Sequence, residues 1–253
     1  MTRTLRLFRH TRLVFVRSAQ PWLRSPALHI VAVFSPLLYL VLFGPLVKNA
    51  LPPKVDAWQW FVPGMLMQLT LFGAAYAGFA ITPELRSGVT ERLRVTPVSR
   101  LALLLGRVLG DMAQLVIQGG VLLAAATAFG FRTPVLAVVL ALALAAVLGA
   151  AISSLSYALA LTVKEENKFA PLLNMMLVPL MLLSGVLLPM DNAPGWLHTL
   201  SRINPLSHVV EALRAITAGH YGSTAAVQGT LITVVMAVVC GLLGWRTMAR
   251  NQA

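Results

Sequence analysis

From Trp58 to Ile81 the chain runs twenty-four residues without a charged side chain, and stretches of that kind recur along its length. An α-helix rising ~1.5 Å per residue needs ~20 mostly apolar residues to cross ~30 Å of hydrocarbon. Six stretches reach that length, over about 28–47, 58–81, 101–131, 135–163, 169–188 and 227–245. Charged residues make up 11% of the chain and mean hydropathy is +0.79, whereas a soluble domain carries about 25% charged residues. The expected fold class is therefore an all-α polytopic membrane protein with six transmembrane helices, since in lipid each segment must satisfy its own backbone groups. Pro36, Pro63, Pro171 and Pro179 fall inside these stretches and are expected to bend helices without ending them.

The net charge of +12 raises nucleic acid as a partner, but the placement of the charges argues for topology. With both termini cytoplasmic, fifteen of the twenty Lys and Arg residues lie inside, and Lys48, Lys54, Arg132, Arg202 and Arg214 lie outside. That asymmetry is the one positive cytoplasmic loops produce. Residues 1–26 stand apart from the spans: Arg3, Arg6, Arg9, Arg12, Arg17 and Arg24 alternate with Leu5, Leu7, Phe8, Leu13, Val14, Phe15 and Trp22. Such a segment reads as an amphipathic helix in the headgroup layer with acidic lipid as counter-charge. A positive topology signal with no further role fits equally, whereas a cleaved secretory signal does not, because the apolar stretch that follows is too long.

Chemistry-bearing residues are sparse. Cys240 is the single cysteine, and the five histidines (His10, His29, His198, His208, His220) make no set at metal-ligand spacing. Asp111 is the one acid approaching a span; a structural pair with Arg107 one turn earlier and a proton relay are both open, the pair being the simpler. No nucleophile with base and orienting partner is visible. The Gly-Lys pair of a phosphate-binding loop is absent from the sequence, so no ATP site and no resident cofactor is expected in this chain.

Between the second and third stretches, Pro83 to Val98 is dense in charge. Thr82 can cap a helix with Pro83 in its first position, and Leu85, Val89 and Leu93 at four-residue spacing leave Glu84, Arg86, Glu91, Arg92 and Arg94 on the remaining faces. Thr96-Pro97 stops it. Beyond the fifth stretch, Met190 to Ala226 is too apolar for an ordinary loop. There Asn204 can cap a helix with Pro205 in its first position, followed by Leu206, Val209, Val210, Leu213 and Ile216 at helical spacing. With the shorter Trp196, Leu197, Leu200 run, this predicts two half-depth helices entering the outer leaflet and turning back. They carry Glu211 and Arg214 on their polar side and act either as an outer gate or as a cap that seals the bundle.

The segment Glu84-x-x-x-Gly88-x-x-Glu91-x-Leu93-x-x-Thr96-Pro97 resembles the cytoplasmic coupling segment of the ABC transporter type-2 permeases. Leu183 to Arg214, with Leu-Ser-Gly-Val-Leu-Leu-Pro, Pro194-Gly195-Trp196-Leu197, Asn204-Pro205-Leu206 and Glu211-x-x-Arg214, is similar to that family's stretch after the fifth span. Within the family the chain looks closest to the daunorubicin-resistance type. The resemblance implies one permease domain over 27–253 behind the amino-terminal helix. Its coupling helix would carry Glu84, Arg86, Gly88, Glu91, Arg92, Leu93 and Arg94, and its outer gate Trp196, Asn204, Pro205, Glu211 and Arg214.

It also implies partners: two copies of an ABC ATPase subunit that bind ATP and Mg, a second permease copy or a related permease, and membrane lipids, with no nucleic acid. The expected location is a bacterial inner membrane. In the fifth stretch Phe169, Leu172, Asn174, Met175, Met176 and Met181 offer soft surface to a hydrophobic or amphipathic cargo such as a drug, antibiotic or lipid. A polysaccharide or glycolipid permease of the same family is an alternative. A membrane scaffold without transport is another, against which the charged lever argues.

Overall fold

The computed structural model describes residues 3–23, 30, 34, 37–44, 46, 56–81, 99–163, 165–187, 190 and 193–251. Among them every regular element is helical: α1 (Arg3–Leu23), α2 (Ala57–Ala75) running into a 3-10 turn (Tyr76–Ile81), α3 (Arg100–Ala128), α4 (Val135–Val163), α5 (Glu166–Leu183), α6 (Gly195–Ile203), α7 (Pro205–Thr217) and α8 (Thr224–Asn251). Among the described residues, four segments are long and apolar enough to cross a membrane: Ala57–Ile81, Leu101–Ala128, Val135–Val163 and Thr224–Arg250. The expected first span lies largely outside the described residues, though 37–44 are helical. The expected fifth is a shorter helix that stops at Leu183, not 188, because the chain turns at Ser184–Gly185, where Gly185 takes φ of 74°. Pro63, Pro171 and Pro179 all sit inside continuous helices.

Local signals explain the helix starts. Asp56 accepts from the Trp58 and Gln59 amides at 2.9 and 3.4 Å, opening α2, and the Ser99 hydroxyl accepts from the Ala102 amide at 3.3 Å, opening α3. α4 is apolar on all sides, as suits a membrane span set between neighbouring helices and lipid. It packs against α2, α3, α5, α7 and α8, and its Ala137, Ala141, Ala145 and Ala151 are buried where those neighbours approach. α8 is the peripheral span, turning Val227, Leu231, Val234, Val238 and Leu242 outward. Side chains of this kind are at no disadvantage against lipid tails.

α7, the helix expected after Asn204-Pro205, belongs to the core. Val209, Val210, Ala212 and Leu213 have no exposed surface, and Leu206 and Ile216 join them against α2, α4 and α8. Burying such side chains stabilises by about 1.5–3 kcal/mol each relative to water. Around this end of the bundle meet the first turn of α2, the α3–α4 connection and the end of α5. The Gln59 side-chain amide donates to the Arg132 carbonyl, the Thr133 hydroxyl donates to the Thr217 carbonyl at 2.7 Å, and the Trp58 and Phe129 rings lie 5.8 Å apart.

Candidate functional site

Asn204 makes the junction of α6 and α7 rigid. Its side-chain oxygen accepts from the Leu206 amide at 3.1 Å, with Pro205 in the first helical position, and its side-chain nitrogen donates to the Leu180 carbonyl of α5 at 2.8 Å. One turn before α7 ends, at the end away from Asn204, Arg214 makes a second clasp. Its Nε donates to the Trp60 carbonyl at 3.1 Å, its Nη2 donates to the Gly185 carbonyl at 2.8 Å, and its guanidinium lies 4.2 Å from the Trp60 ring centre. One planar side chain thus ties α7 to the first turn of α2 and to the turn after α5. Hydrogen bonds from a charged donor contribute about 1.5–3 kcal/mol each, and a cation over an indole about 0.5–2 kcal/mol.

The other expected gate residues do not join this corner. Glu211 turns to Arg202 at 3.8 Å and His208 at 3.9 Å on the exposed side, where an ion pair adds little. Trp196 is 70% exposed on α6. Of the five, Asn204 with Pro205 at the start of α7 and Arg214 near its end make separate clasps to α5 and to the turn after it, while Trp196 and Glu211 stand apart.

The six expected cargo-path residues also divide. Phe169 and Met181 are buried in the core and Leu172 is half-buried, while Asn174, Met175 and Met176 are exposed. They are not one surface. α2 supplies what the fifth stretch alone lacks: the Tyr76 hydroxyl donates to Asn174 Oδ1 at 2.9 Å, and Phe79 packs its ring edgewise on Phe169 at 4.9 Å. The i, i+4, i+7 spacing of Phe72, Tyr76 and Phe79 was visible in the sequence, but not which helix they would face.

At the opposite end of the bundle a small polar cluster joins α3 to α4. The Tyr157 hydroxyl donates to Asp111 Oδ2 at 2.8 Å, and Arg107 sits 6.0 Å from the Tyr157 ring centre. Asp111 thus has a partner on the neighbouring helix besides the Arg107 charge one turn away. Nearby, Ser156 of α4 accepts from the Gly78 amide at 2.9 Å and donates to the Ala75 carbonyl. It takes the place of helical bonds where α2 tightens into its 3-10 turn. A Cβ on Gly78 would stand 2.7 Å from the Ser156 carbonyl oxygen, so the residue must be glycine for the two backbones to approach this closely.

α1 is fastened to the same end. It packs along α3, with Leu7, Thr11, Val14 and Phe15 half-buried. A Cβ on Gly106 would meet Val14 at 2.6 Å and the Thr11 carbonyl at 2.9 Å. The outward face carries Phe8, Arg9, Arg12, Leu13 and Val16. The expected coupling residues Glu84, Arg86, Gly88, Glu91, Arg92, Leu93 and Arg94 lie outside the described residues. Among the described residues no group of three or more His, Cys, Asp or Glu is placed to hold a metal ion.

A bundle of apolar helices joined by a few such clasps has counterparts among known proteins. A daunorubicin resistance ABC transporter permease protein of Streptomyces coeruleorubidus is 27% identical over 209 residues, which cover 81% of this chain and 74% of that protein. A probable doxorubicin resistance ABC transporter permease protein of Mycobacterium tuberculosis is 23% identical over 232 residues, covering 89% of this chain and 84% of that protein. A probable multidrug ABC transporter permease of Escherichia coli K12 is 26% identical over 175 residues, covering 67% and 46%. The sequence profile described as "ABC-2 type transporter" matches residues 9–218. With α2 to α7 and most of α1 inside that match, this multi-pass membrane protein belongs to the ABC-2 type transporter family.

Proposed function

We propose that this chain is the membrane-spanning permease subunit of an ATP-driven exporter of hydrophobic or amphipathic compounds, and that a separate ABC ATPase subunit supplies the energy. The observation that carries this is the family match over 9–218 in a sequence with no phosphate-binding loop of its own. Relatives named for daunorubicin, doxorubicin and multidrug resistance favour a drug-like cargo, and the apolar fifth stretch agrees with that chemistry.

Two ATPases, each binding ATP and Mg, dock below Pro83–Val98 and α1 in a bacterial plasma membrane, with both permease termini on their side. Two permease copies, or one with a related subunit, meet along the first, second and fifth spans. Closure of the ATPases moves the lever, the 3-10 turn passes the movement into α2, and Arg214 releases the α6–α7 pair at the outer face. Co-purification of the permease with an ABC ATPase tests the lever. Glu91→Ala leaves the permease inserted and folded but lowers ATPase recovery about fivefold or more, by loss of charge-assisted contacts of ~1 kcal/mol or above. Full recovery and unchanged hydrolysis remove the lever from the account.

A further inference from the structure

α1 and α3 run side by side in the same direction: a Cβ on Gly106 would meet Val14 and the Thr11 carbonyl, and one on Gly110, a turn further along, would meet Ser18. Successive residues of a helix are about 100° apart. With Thr11, Val14 and Ser18 against α3, the edge of α1 on one side of the contact therefore carries Phe8, Arg12 and Phe15. With Gly106 and Gly110 against α1, the edge of α3 on that same side carries Leu105, Leu109 and Val116. All of these are exposed except Phe15, which is half-buried. Beyond that edge α8 meets α3 through Met248, buried with Leu104 and Val108. The result is a groove with an apolar floor on α3 and an arginine on its α1 wall.

This groove passes from headgroups to hydrocarbon. The Leu101–Ala128 span has 28 residues, ~42 Å at ~1.5 Å per residue, against ~30 Å of hydrocarbon. The excess, about two turns, falls at the end that carries Arg107 and Asp111, where α1 lies, because charges are costly deeper in. Arg12, level with Leu105, is thereby placed among headgroups, and Val116 within the hydrocarbon. No Asp or Glu precedes Asp56, whereas six arginines fall in the first twenty-four residues. Among the described residues no carboxylate pairs with Arg12. An apolar strip that ends in uncompensated positive charge is complementary to a lipid whose headgroup is negative.

We propose that the α1–α3 groove binds one anionic glycerophospholipid from the leaflet next to α1. The Arg12 guanidinium donates to the phosphodiester oxygens, and an acyl chain runs from Leu105 past Leu109 to Val116, beside Phe15. A zwitterionic lipid fits the same floor but brings an ammonium group into a positive field. Binding here requires only that the chain crosses a membrane and is independent of export and of any cargo.

The test places bimane on Leu105→Cys in a Cys240→Ala background of the full-length permease in lipid nanodiscs. Quenching by phosphatidylglycerol with brominated chains is compared with that by phosphatidylcholine with the same chains. Phosphatidylglycerol is preferred about fivefold. Arg12→Gln brings the preference to within about twofold and leaves quenching by phosphatidylcholine unchanged, while Arg12→Lys keeps at least half of it. Arg17→Gln, an equal loss of charge on the other edge of α1, leaves the preference intact, and bimane on Val234→Cys, on the outward face of α8, reports none. Equal quenching by the two lipids in the labelled parent overturns the proposal. So does an Arg17→Gln effect as large as that of Arg12→Gln, which makes the preference a diffuse surface field. A fall in quenching by both lipids in Arg12→Gln shows that Arg12 holds α1 and not lipid. Loss of quenching by both when an ABC ATPase binds shows that protein covers the groove.

Discussion

Asp111 and Tyr157 show how few polar side chains a membrane bundle of this kind tolerates, and what each must do. Tyr157 is 2% exposed and its hydroxyl has Asp111 Oδ2 at 2.8 Å, so loss of the donor leaves a carboxyl group with one partner fewer in a region of low dielectric. Tyr157→Phe costs about 1–3 kcal/mol, read as a lower thermal midpoint of the purified permease, whereas Asp111→Asn keeps a carbonyl acceptor and costs less. An equal midpoint for Tyr157→Phe and wild type contradicts this. Arg214 calls for a different replacement. Lysine keeps the charge but lacks the planar fork that reaches the Trp60 and Gly185 carbonyls together, so Arg214→Lys speeds hydrogen exchange across Pro205–Thr217 about tenfold or more. Unchanged protection in α7 excludes the latch. The sequence marked Asp111, Asn204 and Arg214 because polar residues among apolar ones are conspicuous. It did not mark Tyr157, Trp60 or the Leu180 carbonyl, because a tyrosine, a tryptophan and a backbone oxygen look ordinary until folding brings a partner within 3 Å or so.

At the scale of elements, length and hydropathy located α2, α3, α4 and α8 to within a few residues, because the thickness of the hydrocarbon fixes how long an apolar run must be. Breaks were less legible. The 3-10 turn at Tyr76–Ile81 depends on the Ser156 hydroxyl of α4 entering the hydrogen-bond ladder of α2, a tertiary cause with no local signal. α1 was legible as an amphipathic helix, but its seat on α3 was not, since Ala102, Gly106 and Gly110 read as ordinary small residues of a span. That seat makes α1 and α3 move together. A Cβ on Gly110 would lie 3.3 Å from that of Ser18, close to disulfide distance, so Ser18→Cys with Gly110→Cys, in a Cys240→Ala background, crosslinks on mild oxidation. Adding Gly106→Leu, whose side chain collides with Val14 and the Thr11 carbonyl, lowers the crosslinked fraction at least about twofold. An unaffected yield means α1 is held elsewhere.

Across the whole molecule the clasps are unevenly distributed. At one end, hydrogen bonds from Asn204 and Arg214 hold α7 to α5 and α2. At the opposite end, Asp111, Ser156 and the Gly106 notch connect α1, α2, α3 and α4. Between them Phe72, Tyr76 and Phe79 face α5. Packed helices therefore connect one end to the other, and the clasps on α7 are hydrogen bonds to backbone carbonyls. In the proposed function, ATP hydrolysed on another subunit drives movement along these packed helices. ATP-dependent accumulation of ethidium in inverted proteoliposomes holding the permease, with and without its ABC ATPase, tests it most directly. Accumulation is expected only with the ATPase and ATP both present, and to vanish when the ATPase's phosphate-binding lysine is replaced. Ethidium transport by the permease alone, at the same rate with or without nucleotide, would contradict it.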